Sequence, residues 1–174
     1  MPREGVPVNE NDYHEAALTS AVGADHAPGL AEYFDSPNST PITFTDSEYS
    51  TRLASVRTRM AFQNLTALIV TDPSNLYYLT GYNALSFYTP QMLYVPLEGD
   101  LYFFAREMDA NGAFRTSWLP DEQTFGYPET FVQRKDTHPF VWVSQKLREL
   151  GVVNNFSHGQ VGLEMDSYYF SPKD

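Results

Sequence analysis

Catalysis needs groups that move protons, hold metals or attack as nucleophiles, and this chain of 174 residues offers few of them at useful spacing. Glu107 and Asp109 flank Met108, and two carboxylates so close could bind a cation or work as an acid/base pair. The plainer reading, preferred here, is that acidic residues favour the first turn of a helix, where the macrodipole stabilises them. The histidines are His14, His26, His138 and His158; none stands at metal-ligand spacing, and there is no His-Glu-x-x-His element. Structural or solvated roles are expected of all four. Ser86 and Ser117 have no base near them in sequence, so nucleophilic catalysis is unsupported. The absence of cysteine removes disulfides, thiolate zinc sites and a cysteine nucleophile together. Neither "GYN" nor "GQVG" has the glycine spacing of a phosphate cradle. Nothing in the sequence completes an active site, and no metal ligand or cofactor-binding residue is assigned.

What remains is "DPSNLYYLTGYNALSFY", residues 72–88, with Tyr77, Tyr78, Tyr82, Phe87 and Tyr88 and no charge after Asp72 until Glu98. Such a run can be core, with Leu76 and Leu79 at i,i+3 facing a sheet and a tyrosine packed beside them. It can equally be a ligand or partner wall made by Tyr82, Phe87 and Tyr88, whose ring faces can hold a delocalised cation. Composition leaves both readings open.

The elements that must position these residues are legible from local signals. In "FTDSEYSTRLASVRTRMAFQNL", Thr45 and Glu48 form a capping box, and Phe44 and Tyr49 occupy the positions of a hydrophobic staple. Tyr49, Leu53, Val56 and Met60 recur at the spacing of one helical face, with Asn64 placed to end the helix. "ALIV" (67–70) reads as a strand buried on both faces. Asp72 caps a short helix that begins at Pro73 and closes at Gly81. "QMLYVPL" and "LYFFA" form a hairpin around "EGD" at 98–100. "MDANGAFRTSWL" reads as a helix despite Asn111-Gly112, and "TFGYP" as a short strand. A helix from about Pro139 to Leu150 places Phe140, Val143 and Leu147 on one face, and "QVGLEM" (160–165) is a final strand. Alternating helices and strands with a central hairpin predict an α/β fold, a mixed β-sheet flanked by helices.

Net charge is −11, and residues 1–50 carry nine acidic side chains against Arg3 alone. No basic stripe exists to displace counterions from phosphates, so no nucleic-acid partner is expected. Residues 1–41 read as an acidic, proline-containing leader, and 42–165 as the domain. Asp166 or Ser167 would cap a further helix, so 166–174 is expected to begin a linker to a missing C-terminal domain. The longest uncharged stretch, 73–97, is broken by three prolines and is not a membrane span, and the amino terminus has no apolar run of signal length. A soluble cytoplasmic protein is expected, with the sequons at Asn38, Asn64 and Asn155 fortuitous.

"ALIVTDPSNLYYLTGY" resembles the opening strand, turn and helix of the amino-terminal domain in the creatinase, prolidase and aminopeptidase P group, the pita-bread hydrolases. With "SFY", "MDANGAFRTSWLPDE", "GYPETFVQ" and "GLEMDSYYFS", the likeness runs from Phe44 to Asp174 and is greatest to the ectoine hydrolase branch, which opens a cyclic amidine. "NALSFYTPQ" departs from that pattern in having no Trp before "SFY" and no His near Pro90. The resemblance implies a non-catalytic domain: the catalytic carboxylates and histidines, and a divalent metal where one is used, lie in the carboxy-terminal half of such enzymes. It implies a homodimer, in which an aromatic loop reaches the partner subunit's active site and its small-molecule or dipeptide substrate. Carried over by position, that loop falls on Ser86, Phe87 and Tyr88. The alternatives are the same domain of a metal-dependent Xaa-Pro dipeptidase or aminopeptidase, and a stand-alone protein-binding module.

Overall fold

The computed structural model describes residues 44–84, 86, 88–153 and 159–169. Helix α1 (Asp46–Phe62) starts as its sequence demands: the Thr45 hydroxyl accepts the Glu48 N–H at 3.3 Å. The staple forms too, with Phe44 edge-on to Tyr49 and ring centroids 6.0 Å apart. Half of the capping box is replaced, because the Glu48 carboxylate turns to Arg52 Nε at 3.0 Å. Asn64 takes the left-handed conformation (φ 56°) that turns the chain into β1 (Leu65–Val70).

Asp72 then caps α2 (Pro73–Thr80) by accepting the N–H groups of Ser74 and Asn75 at 2.9 and 3.4 Å. Gly81 ends that helix at φ 76°, a conformation that costs any L side chain about 1–2 kcal/mol. The hairpin of β2 (Met92–Pro96) and β3 (Tyr102–Arg106) follows. Arg57 of α1 locks its turn, donating to the carbonyls of Pro96 and Gly99. Next come α3 (Glu107–Thr116), β4 (Thr124–Tyr127), a 3-10 turn at Glu129–Phe131, α4 (Pro139–Glu149) and β5 (Gln160–Leu163). Among the described residues after Leu163 there are turns and no helix, so the helix expected from Asp166 or Ser167 has not begun by Tyr169.

The strands make one mixed sheet in the order β4-β3-β2-β1-β5. Only β2 is antiparallel to its neighbours; β3 and β4 pair in parallel, as do β1 and β5. Four strands therefore end on the same side. The two-residue alternation of the strands divides the core between the faces. Leu93, Val95, Phe103 and Ala105 pack with Met60, Leu76, Leu79 and Tyr82 on one face. Met92, Tyr94 and Phe104 meet Val143 and Leu147 of α4 on the other. Each large apolar side chain so buried contributes roughly 1.5–3 kcal/mol before its entropy cost. The predicted α/β architecture, a mixed sheet with helices on both faces, is the one observed. Among the described residues no helix is long and apolar enough to cross a membrane.

Candidate functional site

The loop between α2 and β2 lies at the end of the sheet where β1, β3, β4 and β5 all finish, the side on which open α/β sheets hold ligands. Its residues divide by burial. Tyr82 is only 1% exposed, with its ring against Phe103 at 4.6 Å and its hydroxyl accepting from Gln91 Nε2 at 2.8 Å. Burial, reinforced by the Asp109 carboxylate, pushes its ionisation up to about 12. Tyr82 therefore stands behind the loop as core, not on the surface where its sequence position suggested a wall. Gly112 of α3 lies beside it, where a Cβ would stand 3.7 Å from the Tyr82 ring, an ordinary contact distance.

Tyr88 is the reverse case. It is 54% exposed, yet its hydroxyl is held by Arg106 Nη1 at 2.9 Å. Arg106 ends β3 and forks onto the Glu129 carboxylate, Nε to Oε1 at 2.5 Å and Nη2 to Oε2 at 2.9 Å. This bidentate pairing keeps the guanidinium fixed and charged, and it holds the Glu129 carboxyl below the usual carboxylate range. Parallel pairing of β3 and β4 places Arg106 beside Tyr127, so the turn that starts at Glu129 brings its carboxylate to the arginine.

Ser86 is fastened by a second route. Thr89 donates its hydroxyl hydrogen to Asp109 Oδ2 at 2.9 Å, and Thr89 Oγ1 is in close contact with Ser86 Oγ. Since Thr89 has one hydroxyl hydrogen and Asp109 takes it, Ser86 is the donor to Thr89. The Thr89 N–H returns a bond to Ser86 Oγ at 3.3 Å. Asp109 lies in the first turn of α3, as expected, and has this further task. Tyr127 closes the floor by donating to the Pro90 carbonyl at 2.7 Å, and burial pushes its ionisation upward. Phe87 lies outside the described residues.

The remaining sequence candidates are structural. His138 caps α4, its Nδ1 accepting the Phe140 N–H at 3.2 Å. Ser117 Oγ accepts from the Leu119 N–H at 3.1 Å. Glu107 is exposed, and Gly126 packs so closely on it that a Cβ there would stand 2.6 Å from the Glu107 Cα. His14, His26 and His158 lie outside the described residues. Among the described residues no three His, Asp or Glu side chains are grouped to hold a metal ion. Sequence reasoning missed Arg106, Glu129 and Thr89. The one available signal was Arg106 itself, a lone cation closing the apolar run "LYFFA".

Sheet, flanking helices and a fastened aromatic loop define the class first: an α/β domain with a mixed sheet and an aromatic loop at the carboxyl ends of four of its strands. Within that class the chain belongs to the creatinase/prolidase N-terminal domain family, whose model matches residues 52–171. It is 44% identical over 133 residues to the ectoine hydrolase of Halomonas elongata, covering 76% of this chain and 32% of that protein. It is 41% identical to an uncharacterised hydrolase/peptidase of Sinorhizobium fredii, over 75% of this chain and 33% of the relative. The chain thus spans about a third of the length of the curated relatives it matches. Among solved structures, a proline dipeptidase from Streptococcus pneumoniae superposes with a TM-score of 0.51 at 21% identity, covering 66% of this chain and 74% of that one. That likeness concerns the fold.

Proposed function

We propose that this chain is the non-catalytic N-terminal domain of an ectoine hydrolase-type enzyme acting on a C–N bond. In this reading a C-terminal domain of the same protein carries the acid/base groups, and any divalent metal the enzyme uses. The enzyme is a cytoplasmic homodimer, and each N-terminal domain lends Ser86, Phe87 and Tyr88 to the partner's active site, with Tyr82 as their backing.

One observation carries the reading: an aromatic side chain that is 54% exposed is nevertheless fixed at its hydroxyl, at the end of the sheet where four strands finish. An exposed tyrosine gains little stability from such fixing, so the arrangement suits a surface kept in shape for a ligand. A protonated amidine spreads its charge over two nitrogens and can lie against an aromatic face without a carboxylate beside it. Water then adds to the amidine carbon and the ring C–N bond breaks, leaving an amide and a free amine. This domain moves no proton in that sequence; it orients the cation and excludes water from one side. The 44% identity to an ectoine hydrolase favours that substrate over an Xaa-Pro dipeptide.

The test is turnover by the full-length enzyme, with ectoine and with an Xaa-Pro dipeptide offered separately. Ectoine should be opened, and Phe87→Ala and Tyr88→Ala should raise KM for it with little change in kcat. Hydrolysis of the dipeptide alone would give the domain to a peptidase. Unchanged KM in both variants would remove the loop from the site. Mixing Phe87→Ala subunits with subunits inactivated in the C-terminal domain should give sites with wild-type KM if the loop acts across the dimer.

A further inference from the structure

We infer that Arg106 is a positioning residue for substrate recognition, acting through the hydroxyl of Tyr88. The inference rests on the proposal that the loop meets substrate, and it names what sets the loop's shape. Three facts converge on Arg106. Its guanidinium spends Nε and Nη2 on Glu129, which fixes the plane of the fork. The remaining Nη1 is aimed at Tyr88 Oη, at 2.9 Å, from a side chain 16% exposed. The guanidinium carbon lies 5.9 Å from the centroid of the Tyr88 ring, so the cation also approaches the aromatic system it orients.

The second fastening begins three residues further on. Asp109 holds Thr89, and Thr89 holds Ser86, so the junction of β3 and α3 grips the loop on both sides of residue 87. Ser86 and Tyr88 are thus both set from the corner where β3 meets α3. A ring held at its hydroxyl presents one face, whereas a free tyrosine at that exposure samples several rotamers at a cost in binding entropy. Arg106 touches no substrate in this scheme. Its effect is on how often the wall is in its binding shape, so it belongs in KM and not in kcat. Lysine cannot replace it, because one ammonium cannot fork onto Glu129 and also reach Tyr88 in a fixed plane.

A double-mutant cycle on the full-length enzyme, with ectoine as the probe, decides the matter. Tyr88→Phe keeps the ring and deletes only the fastening, so it should raise KM by about tenfold, the scale of one hydrogen bond to a charged group, with kcat within twofold. Arg106→Gln should do the same, and the double variant should be no worse than the weaker-binding single. Arg106→Lys, which keeps the charge and is the milder change for folding, should behave like Arg106→Gln. KM effects that multiply in the double variant, or a fall in kcat at constant KM, would overturn the inference. So would wild-type KM in Arg106→Lys and Tyr88→Phe. Tyr88→Ala separates the two levels: if it raises KM while Tyr88→Phe and Arg106→Lys do not, the loop meets substrate and Arg106 does not position it. If Tyr88→Ala also leaves KM unchanged, both readings fall.

Discussion

Glu164, just past the end of β5, accepts the backbone N–H groups of Thr71 and Asp72 on one carboxylate oxygen, at 2.5 and 2.8 Å. Its other oxygen takes Asn75 Nδ2 at 2.6 Å. Thr71 and Asp72 form the turn from β1 into α2, so one side chain from a far part of the chain closes the turn that precedes the aromatic loop. The carboxylate also faces the N-terminus of α2, where a negative charge is favoured.

Glu164→Ala should therefore destabilise the fold by about 2–3 kcal/mol, because it removes charge-assisted bonds and strands partly buried N–H donors. Glu164→Gln should lose less, since its amide oxygen can still accept from the backbone while its NH2 opposes Asn75. Urea denaturation monitored by tryptophan fluorescence measures both. Equal stability for Glu164→Ala and wild type would show that water replaces the carboxylate without penalty.

Gly81 and Tyr49 form a second coupled pair. A Cβ on Gly81 would lie 2.5 Å from Tyr49 Oη and 3.2 Å from the Thr116 carbonyl oxygen, at a backbone φ of 76°. Gly81→Ala should cost about 2–4 kcal/mol from left-handed strain and overlap combined. Tyr49 is fully buried and stacks on Trp118 at 5.6 Å, but among the described residues its hydroxyl has no hydrogen-bond partner. Tyr49→Phe should consequently be neutral or stabilising by about 1 kcal/mol, and it should relieve part of the Gly81→Ala defect. Additive effects in thermal unfolding of the four proteins of that cycle would sink the prediction.

The helix starts at Thr45 and Asp72 and the stop at Gly81 were legible in the sequence because each is a contact within a few residues. The loop's fastenings were not. Arg106 and Glu129 meet only because β4 pairs in parallel with β3, and Glu164 meets Thr71 across 93 positions. Nor does an aromatic run say which ring turns inward. Tyr82 does so with its ring against Phe103 of β3 and its hydroxyl accepting from Gln91, contacts that only the folded sheet supplies. The acidic Asp109 was correctly placed in a first turn, yet its hold on Thr89 depends on a loop folded back 20 residues earlier.

Buried tyrosines should make the domain sensitive to alkali. Tyr82 ionises at about 12 in the folded chain, and burial also raises Tyr127, Tyr94 and Tyr49. The unfolded chain releases these protons near the ordinary value of about 10. A raised folded value means that the protonated form is favoured in the native state, so stability is complete below about 10 and is lost as pH rises above it. For Tyr82 the loss runs from about 10 to about 12. Tyr82→Phe should flatten that window in denaturation curves, despite losing its bond to Gln91. A spectrophotometric titration should show a group of tyrosines that ionise only with unfolding; smooth titration of all of them near the ordinary value would be the contrary result.

Acid should act on the other side of the loop, through Glu129. Arg106 holds this carboxyl below its usual range, chiefly by the direct hydrogen bonds and then by charge. A depressed folded value stabilises the native state at pH above the unfolded value of about 4.3, and the contribution disappears as pH falls through the folded value. Glu129 is half exposed, so the pair is partly screened, while its bidentate geometry favours it over an ordinary surface ion pair. Glu129→Gln should melt below wild type at neutral pH, and the two curves should converge as pH drops below the usual carboxylate range. The NMR shift of the Glu129 carboxyl carbon in wild type should titrate over the same interval, and in Arg106→Lys it should move back toward the ordinary value. A gap in melting temperature that persisted unchanged to pH values below that interval would mean that Glu129 supports the turn by shape alone, with no part played by its charge.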